Sequence, residues 1–221
     1  MIVKVCGMRE EENTKKLILD AKPDLMGLIF YAPSARFVER DGVLPEFYKA
    51  LSQKKVGVFV NESNEGILER IGTYGLSYVQ LHGDESPASI VSLKQYTSAI
   101  IIKVFRIGPT WNWDQVKSYV GVADWFLFDT ETPEYGGSGK TFNWGVLGGY
   151  PYQIPFLLSG GLDESHIDAI ISLAEQIPFC KGVDINSKFE ISPGLKDVAR
   201  VKTFIDKVRL GYSNIEVSLK K

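Results

Sequence analysis

Residues 155–174 read PFLLSGGLDESHIDAIISLA, and this stretch contains one complete strand–loop–helix unit. An apolar run of strand length, Pro155–Ser159, leads into a glycine pair at 160–161. Ser165 stands at the position of a helix cap, and from Ile167 to Ala174 apolar residues recur with the i, i+3, i+4, i+7 spacing of one helical face. The stretch therefore predicts a strand, a glycine loop and a helix, in that order.

The same alternation recurs along the whole chain. Eight short apolar runs have about the length of a strand: Ile2–Cys6, Leu25–Phe30, Val56–Val60, Tyr78–His82, Ile100–Phe105, Trp125–Asp129, Pro155–Ser159 and Gly182–Ile185. These runs are nearly continuous rather than alternating, which is typical of parallel strands covered on both faces. Helical signals lie between or after them, at Asn13–Ala21, after Ser63, after Ser86-Pro87 and at Leu195–Val208, with weaker signals after Trp111 and after Phe142.

Eight strand–helix units predict a single closed (β/α)₈ barrel, the TIM barrel, over residues 1–221. A doubly wound open sheet has the same periodicity and remains the alternative fold. No linker or low-complexity run divides the chain, and 221 residues suit one barrel. The last segment, Ser213–Lys221, is expected to be peripheral to this barrel.

Composition and charge argue against several classes of protein. The net charge is −2 with acids and bases mixed, so no basic surface for nucleic acid or an anionic membrane is expected. No apolar stretch has the length of a membrane span, and the run Ile2–Cys6 is too short for a signal peptide, so we expect a cytoplasmic protein. Cys6 and Cys180 are expected to be reduced. The two cysteines and two histidines have no metal-ligand spacing, so no metal is expected.

Polar or reactive residues occur repeatedly where the predicted strands end, whereas the bodies of the strands stay apolar. These residues are Cys6-Gly7 after the first strand, Arg36 after the second, His82 after the fourth, Asp129 after the sixth, Ser159-Gly160-Gly161 after the seventh and Asp184–Ser187 after the eighth. The active site of a (β/α)₈ barrel lies at the carboxyl ends of its strands. The pattern therefore predicts a site that these residues share.

Two of the strand-end residues have the chemistry of proton transfer. Lys4 and Cys6 lie on the same face of the first strand, and a nearby cation favours the reactive thiolate. A buried structural cysteine is the alternative for Cys6, and Cys180 is expected in the core. Asp129 ends an apolar run, and apolar surroundings favour the protonated form of a carboxyl group, which suits a general acid. A helix N-cap is the alternative for Asp129.

Glycine and serine loops in the second half of the chain predict a phosphate site. They are Tyr135–Thr141 with Gly139, then Gly160 and Gly161, then Asn186 and Ser187. Backbone amides beside glycines and at helix N-termini bind phosphate, and the loops after strands seven and eight are the common phosphate site of this fold. The segment ending in Gly139-Lys140-Thr141 is similar to the end of a P-loop, but the position of that motif's first glycine is Glu134, so the motif is absent.

Over nearly its whole length the chain resembles the phosphoribosylanthranilate isomerase family. The resemblance is carried by Lys4–Gly7, Pro33–Arg36, Val56–Asn61, Val79–Glu85, Phe128-Asp129, Gly136–Phe142, Leu158–Leu162, Gly182–Asp184 and Glu190–Asp197. It implies an Amadori rearrangement of N-(5-phosphoribosyl)anthranilate in tryptophan biosynthesis, without a metal or an organic cofactor. The expected partner is this small phosphorylated substrate, and the chain is expected to be a monomer or a homodimer.

The resemblance also implies a role for each site residue. Cys6 corresponds to the general base, Asp129 to the general acid, Arg36 to the contact with the anthranilate carboxylate, and Asp184 to an aspartate near the sugar. The phosphate is expected at Gly139, Gly160, Gly161, Asn186 and Ser187. His82 is expected either to contact substrate or to be a hydrogen-bonded structural histidine. The family's usual Ser-Ser-Gly-Val-Glu is here Asn186–Glu190, where Lys188 replaces a glycine and adds a positive charge near the phosphate.

Two other functions share part of this pattern. The sugar-phosphate isomerase of histidine biosynthesis has the same fold and reaction type, but it has an aspartate where this chain has Cys6, and it has a half-barrel repeat that this sequence lacks. A barrel that binds a phosphorylated ligand without catalysis would use the glycine loops. That alternative leaves Cys6 and Asp129 without a role, and a turnover assay separates it from an enzyme.

Overall fold

The computed structural model describes residues 1–40, 42–130 and 143–218, with side chains as far as residue 213. Eight parallel strands are hydrogen-bonded in sequence order into a closed barrel, which confirms the predicted (β/α)₈ fold and excludes the open sheet. The strands are β1 Ile2–Val5, β2 Leu25–Ile29, β3 Lys55–Phe59, β4 Tyr78–Leu81, β5 Ile100–Ile107, β6 Trp125–Thr130, β7 Phe156–Leu158 and β8 Cys180–Ile185.

Helices follow the strands around the outside of the barrel. Those in the described ranges are α1 Glu11–Asp20, α2 Pro45–Ala50, α3 Asn64–Tyr74, α4 Pro87–Lys94, α5 Asp114–Lys117, α6 Ile167–Gln176 and α7 Val198–Ser218, with 3₁₀ helices at Trp144–Gly149, Glu164–His166 and Ser187–Phe189. Within the same ranges, no helix is both long and apolar enough to cross a membrane.

Two helix starts follow the predicted caps, and one does not. Ser63 and Ser86 are N-caps, and the side chain of each accepts a hydrogen bond from the backbone amide three residues later. Pro87 occupies the first helical turn. Ser165 is not a cap, because the chain turns two residues earlier. There the side chain of Asp163 accepts a hydrogen bond from the Ser165 amide.

The barrel closes where β1 pairs with β8, with Lys4 in register with Asp184. A small apolar cluster of alternate strand residues fills the barrel: Leu25, Val56, Ile102, Val104, Leu127 and Leu157. Leu127 is two residues before Asp129, so both side chains point to the same face of β6. Apolar residues therefore fill the barrel below the strand ends, and the polar residues lie above them.

The segment between β8 and the last helix differs from the prediction. Glu190–Ser192 and Leu195–Lys196 form two short antiparallel strands, β9 and β10, so α7 begins at Val198 rather than Leu195. The helix also continues to Ser218, through part of the segment that the sequence predicts to be peripheral. The hairpin matters for the site, because it brings Glu190 and Lys196 under the loop that follows β2.

Candidate active site

A cavity that opens to solvent lies at the carboxyl ends of the strands. It is lined by Cys6, Ile29, Tyr31, Ser34, Arg36, Val58, Val60, Gln80, His82, Asp129, Thr130, Ser159, Gly160, Gly161, Leu162, Asp184, Asn186, Ser187 and Lys188. Nine of the ten site residues predicted from the sequence are in this set. The tenth, Gly139, lies outside the described residues.

Cys6 is buried beside an ion pair. Nζ of Lys4 donates a hydrogen bond of 2.8 Å to Oδ2 of Asp184, and both side chains are almost wholly buried. Burial raises the pKa of the Cys6 thiol above its ordinary value, although Lys4 and Lys196 oppose this effect. Lys4 thus lowers the pKa of the thiol, as the sequence indicates, but burial has the larger effect and the pKa is raised overall.

Two glycines make room for the side chains at this end of β1. A Cβ atom at Gly27 on β2 would lie 2.7 Å from Sγ of Cys6. Gly7 has a φ of +75°, and a Cβ atom there would lie 2.7 Å from Oδ1 of Asn186 and 2.9 Å from Cδ of Arg36. The thiol and the arginine keep these positions because both glycines lack a side chain.

Asp129 faces His82 across the cavity floor. Oδ2 of Asp129 is 3.4 Å from Nε2 of His82, an ion-pair distance without hydrogen-bond geometry, and Oδ1 accepts from the Thr130 amide. Nε2 of Gln80 lies 3.3 Å from Nδ1 of His82. An amide nitrogen can only donate, so Nδ1 of His82 is the acceptor in this contact. This contact favours the tautomer of His82 that carries its proton on Nε2, toward Asp129.

Arg36 is held by a carboxylate of the hairpin. Its Nε and Nη2 atoms donate to Glu190 at 2.7 to 3.0 Å, with both carboxylate oxygens engaged. Glu190 also accepts from Nζ of Lys196 at 2.7 Å and from the amide of Gly194. Although burial alone would raise the pKa of Glu190, these donors hold it below its usual range.

The loops after β7 and β8 form the other end of the cavity. Gly160 and Gly161 have φ of +94° and +62°, so their backbone takes a left-handed path that other residues rarely adopt. The 3₁₀ helix at Ser187–Phe189 begins beside them. Asn186 precedes this helix without capping it: its Oδ1 accepts from Nζ of Lys196 at 2.6 Å, and its side chain makes no cap bond. Backbone amides and Lys188 at this end suit an anion.

Three residues of this site have no role of their own in the sequence-based prediction. Gln80 on β4 and His82 just after it are two positions apart in an extended segment, so the sequence spacing indicates that their side chains share a face. Glu190 and Lys196 occur only within a motif of the family resemblance, and no local pattern marks them as part of a site. No group of three or more potential metal ligands occurs among the described residues.

The matching family model and the sequence relatives identify one family. The sequence model of the family described as N-(5′phosphoribosyl)anthranilate (PRA) isomerase matches residues 3–207. An N-(5′-phosphoribosyl)anthranilate isomerase of Parabacteroides distasonis is 45% identical over 210 residues, which cover 94% of this chain and 93% of that protein.

Two solved structures extend the likeness to three dimensions. The phosphoribosyl anthranilate isomerase of Thermotoga maritima has a TM-score of 0.78 and 31% identity, covering 95% of this chain and 99% of that one. A second isomerase structure, in complex with reduced 1-(o-carboxyphenylamino)-1-deoxyribulose 5-phosphate, has a TM-score of 0.75 and 27% identity, with the same coverage. The chain therefore belongs to the N-(5′-phosphoribosyl)anthranilate isomerase family and is an isomerase of tryptophan biosynthesis.

Proposed function

We propose that this isomerase converts N-(5′-phosphoribosyl)anthranilate into 1-(2-carboxyphenylamino)-1-deoxyribulose 5-phosphate, with Asp129 as general acid and Cys6 as general base. The observation that carries the proposal is that a thiol and a carboxyl group line one cavity from β1 and β6. Two strands, β7 and β8, separate them around the barrel, so a sugar ring can lie between the two groups.

The acid step opens the furanose ring. Asp129 gives its proton to the ring oxygen as the bond from that oxygen to C1 breaks, and the lone pair of the anthranilate nitrogen forms the C=N bond of an iminium. The carboxylate that remains is 3.4 Å from Nε2 of His82. A proton on that nitrogen stabilises the new negative charge, which gives His82 a role beside Asp129.

The base step moves the double bond. The thiolate of Cys6 takes the proton from C2 of the sugar. The electron pair of that C–H bond forms the C1=C2 double bond, and the π pair of the C=N bond moves onto the nitrogen, which gives an enol-amine. Return of a proton to C1 and loss of the enol proton give the ketose, so the reaction has no net gain or loss of atoms. The iminium is its own electron sink, and the step needs no organic cofactor. Lys4 beside Cys6 favours the thiolate that this step requires.

The remaining residues match the other groups of the substrate. We assign the phosphate to the backbone amides of Gly160, Gly161 and Ser187, with Asn186 beside them and Gly139 predicted to close over it. Asp184 lines the cavity, and its Oδ1 is buried without a hydrogen-bond partner among the described residues, so this oxygen suits a sugar hydroxyl. Arg36 is left for the carboxylate of anthranilate. The reduced product held by the related structure carries these same three kinds of group.

A turnover assay with purified protein tests the assignment. Positioned proton transfer is worth about 10²–10⁴ in rate, so Cys6→Ala and Asp129→Asn should each lose at least about 100-fold in kcat while remaining folded. Cys180→Ala is the matched control, since Cys180 is a buried thiol at the amino end of β8, far along the strand from the cavity. Near-normal kcat in either site variant removes that residue from the mechanism, and no turnover by the unaltered protein leaves a binding barrel.

A further inference from the structure

We propose that Glu190 is the positioning residue that fixes which edge of Arg36 meets the substrate, and that Lys196 keeps Glu190 in place. The inference rests on the proposed function, in which Arg36 receives the anthranilate carboxylate. It concerns two residues of the β9–β10 hairpin, of which Glu190 contacts the arginine directly.

The geometry of the pair decides which donors of Arg36 remain. A guanidinium has five N–H donors, and Glu190 occupies the Nε–H and one N–H of Nη2. The edge formed by Nη1 and the second N–H of Nη2 is left over. This edge can still bind a carboxylate through two parallel hydrogen bonds. An arginine without Glu190 could bind a carboxylate through this end-on edge or through the side-on edge of Nε and Nη2, whereas here only the end-on edge remains.

The surroundings of Glu190 make it a rigid support. Its side chain is 4% exposed, and its oxygens accept from Arg36, Lys196 and the amide of Gly194. Lys196 is itself buried and is fixed from both sides, because its Nζ also donates to Oδ1 of Asn186 and its amide donates to Asn13. The chain thus holds the carboxylate in one position before any ligand arrives.

A fixed arginine is useful in this cavity because the substrate carries two anionic groups. An arginine on a loop, with a long side chain, can follow either the carboxylate or the phosphate. Glu190 limits this freedom, since it holds one edge of the guanidinium and leaves a single edge, whose two parallel N–H groups match a carboxylate. We therefore expect Glu190 to control the preference for a carboxylate-bearing ring without touching the substrate.

The test compares two ligands by titration calorimetry: reduced 1-(o-carboxyphenylamino)-1-deoxyribulose 5-phosphate and the same compound without the carboxyl group. In Glu190→Gln the first should bind about 10- to 100-fold more weakly, which is the range for a charged hydrogen bond. The second should change by less than about 3-fold. Glu164→Gln is the matched control, because Glu164 forms a comparable two-bond pair with Arg200 on the surface. It should alter neither ligand.

A second variant keeps the test valid if Glu190→Gln alone fails to fold. Glu190→Gln leaves Lys196 as an unpaired buried cation, so the double variant Glu190→Gln/Lys196→Met removes both charges and should give the same selective loss. Equal weakening of both ligands in folded protein overturns the inference. So does an unchanged ratio between them.

Arg36→Ala separates the two proposals. Loss of the preference for the carboxylate in Arg36→Ala, without such a loss in Glu190→Gln, overturns only the role of Glu190. An unchanged preference in Arg36→Ala overturns the proposed role of the arginine itself. If both proposals hold, adding Glu190→Gln to Arg36→Ala causes no further change in the ratio of the two affinities.

Discussion

Nζ of Lys4 lies 2.8 Å from Oδ2 of Asp184, and these two residues occupy registered positions on the strands that close the barrel. The pair affects two parts of the proposed site, the thiol of Cys6 and the region beside Asp184. It puts a cation beside Cys6, and it leaves the other oxygen of Asp184 for a ligand. Although burial alone would lower the pKa of Lys4, Asp184 and Cys6 raise it, so the lysine stays charged.

Removing this cation should change the pH dependence of the reaction. Cys6 must be deprotonated to act as a base, and burial raises its pKa above the ordinary value of 9.0, so kcat/KM should rise with pH through the neutral range. In Lys4→Met the thiol pKa rises further, and a thiol pKa that is higher by about one pH unit means an about tenfold smaller thiolate fraction at neutral pH. The rising limb of the profile should therefore move to higher pH. The measurement is kcat/KM against pH for both proteins.

Lys55→Met is the control for this change. Lys55 is also a buried lysine of a barrel strand, but its Nζ donates to the carbonyl oxygens of Leu51 and Gln53. Breaking a buried ion pair costs about 3–5 kcal/mol, so circular dichroism must first show that Lys4→Met is folded. A profile that coincides with that of the unaltered enzyme would show that Lys4 has no influence on the base.

Gly27→Ala should lower kcat, because the added methyl group would contact the thiol of Cys6. The new Cβ atom would be 2.7 Å from Sγ and 3.0 Å from Cα of Cys6, so the thiol or the strand must move. Overpacking of this kind costs about 1–3 kcal/mol of stability, and we expect kcat to fall more than KM changes. Gly72→Ala in α3 is the control, because the space around it is open, and it should stabilise the fold by about 0.5–1 kcal/mol without altering kcat. Equal kcat values in the two variants would contradict the prediction.

Arg36→Lys should lose activity selectively. Lysine cannot offer two parallel donors to a carboxylate, and a charged hydrogen bond is worth about 1.5–3 kcal/mol, or roughly 10- to 150-fold in kcat/KM. On the substrate analogue built from aniline, which has no carboxyl group, the loss should be much smaller. Steady-state kinetics with both substrates measures the difference. Equal losses on both substrates would indicate that Arg36 stabilises the fold and does not recognise the carboxylate of anthranilate.

Lys188 should strengthen substrate binding through its charge. Lys188→Gly is expected to raise KM while leaving kcat nearly unchanged, since a charge that attracts the phosphate acts equally on ground and transition states. Lys22→Gly is a suitable control, because Lys22 is an exposed lysine with a φ of 50°, where glycine is tolerated.

Crystals grown with sulfate should hold the anion between the loops after β7 and β8. An anion bound elsewhere, for example at Lys54, would contradict the phosphate assignment.

The barrel and the membership of the cavity were predictable because both follow from local patterns. Apolar runs of strand length show the strands, and parallel strands bring their carboxyl ends to one rim, so Cys6, Asp129 and Asp184 were expected together. The β9–β10 hairpin was missed, because its strands are only three and two residues long and Leu195 fits the helical spacing of the segment that follows.

The charges of the site were less predictable than its members. Arg36 and Glu190 are 154 positions apart, and no local pattern in a single sequence joins them. Lys4 was visible beside Cys6, but its partner Asp184 is 180 positions away. The balance between burial and charge that sets the thiol pKa depends on that distant partner. Sequence spacing therefore predicted which groups meet and could not predict which of them neutralise one another.

The closure of the barrel between β1 and β8 has a consequence for synthesis of the chain. A chain made from its amino end exposes Lys4 early, but the carboxylate that pairs with it is supplied 180 positions later. Until then β1 lacks its second neighbour, and Cys6 lacks the hydrogen bond that its amide donates to the carbonyl oxygen of Ile185. Catalytic competence thus appears only when the last strand docks against the first. Recovery of enzyme activity during refolding should report that final docking event, rather than the earlier formation of the individual strand–helix units.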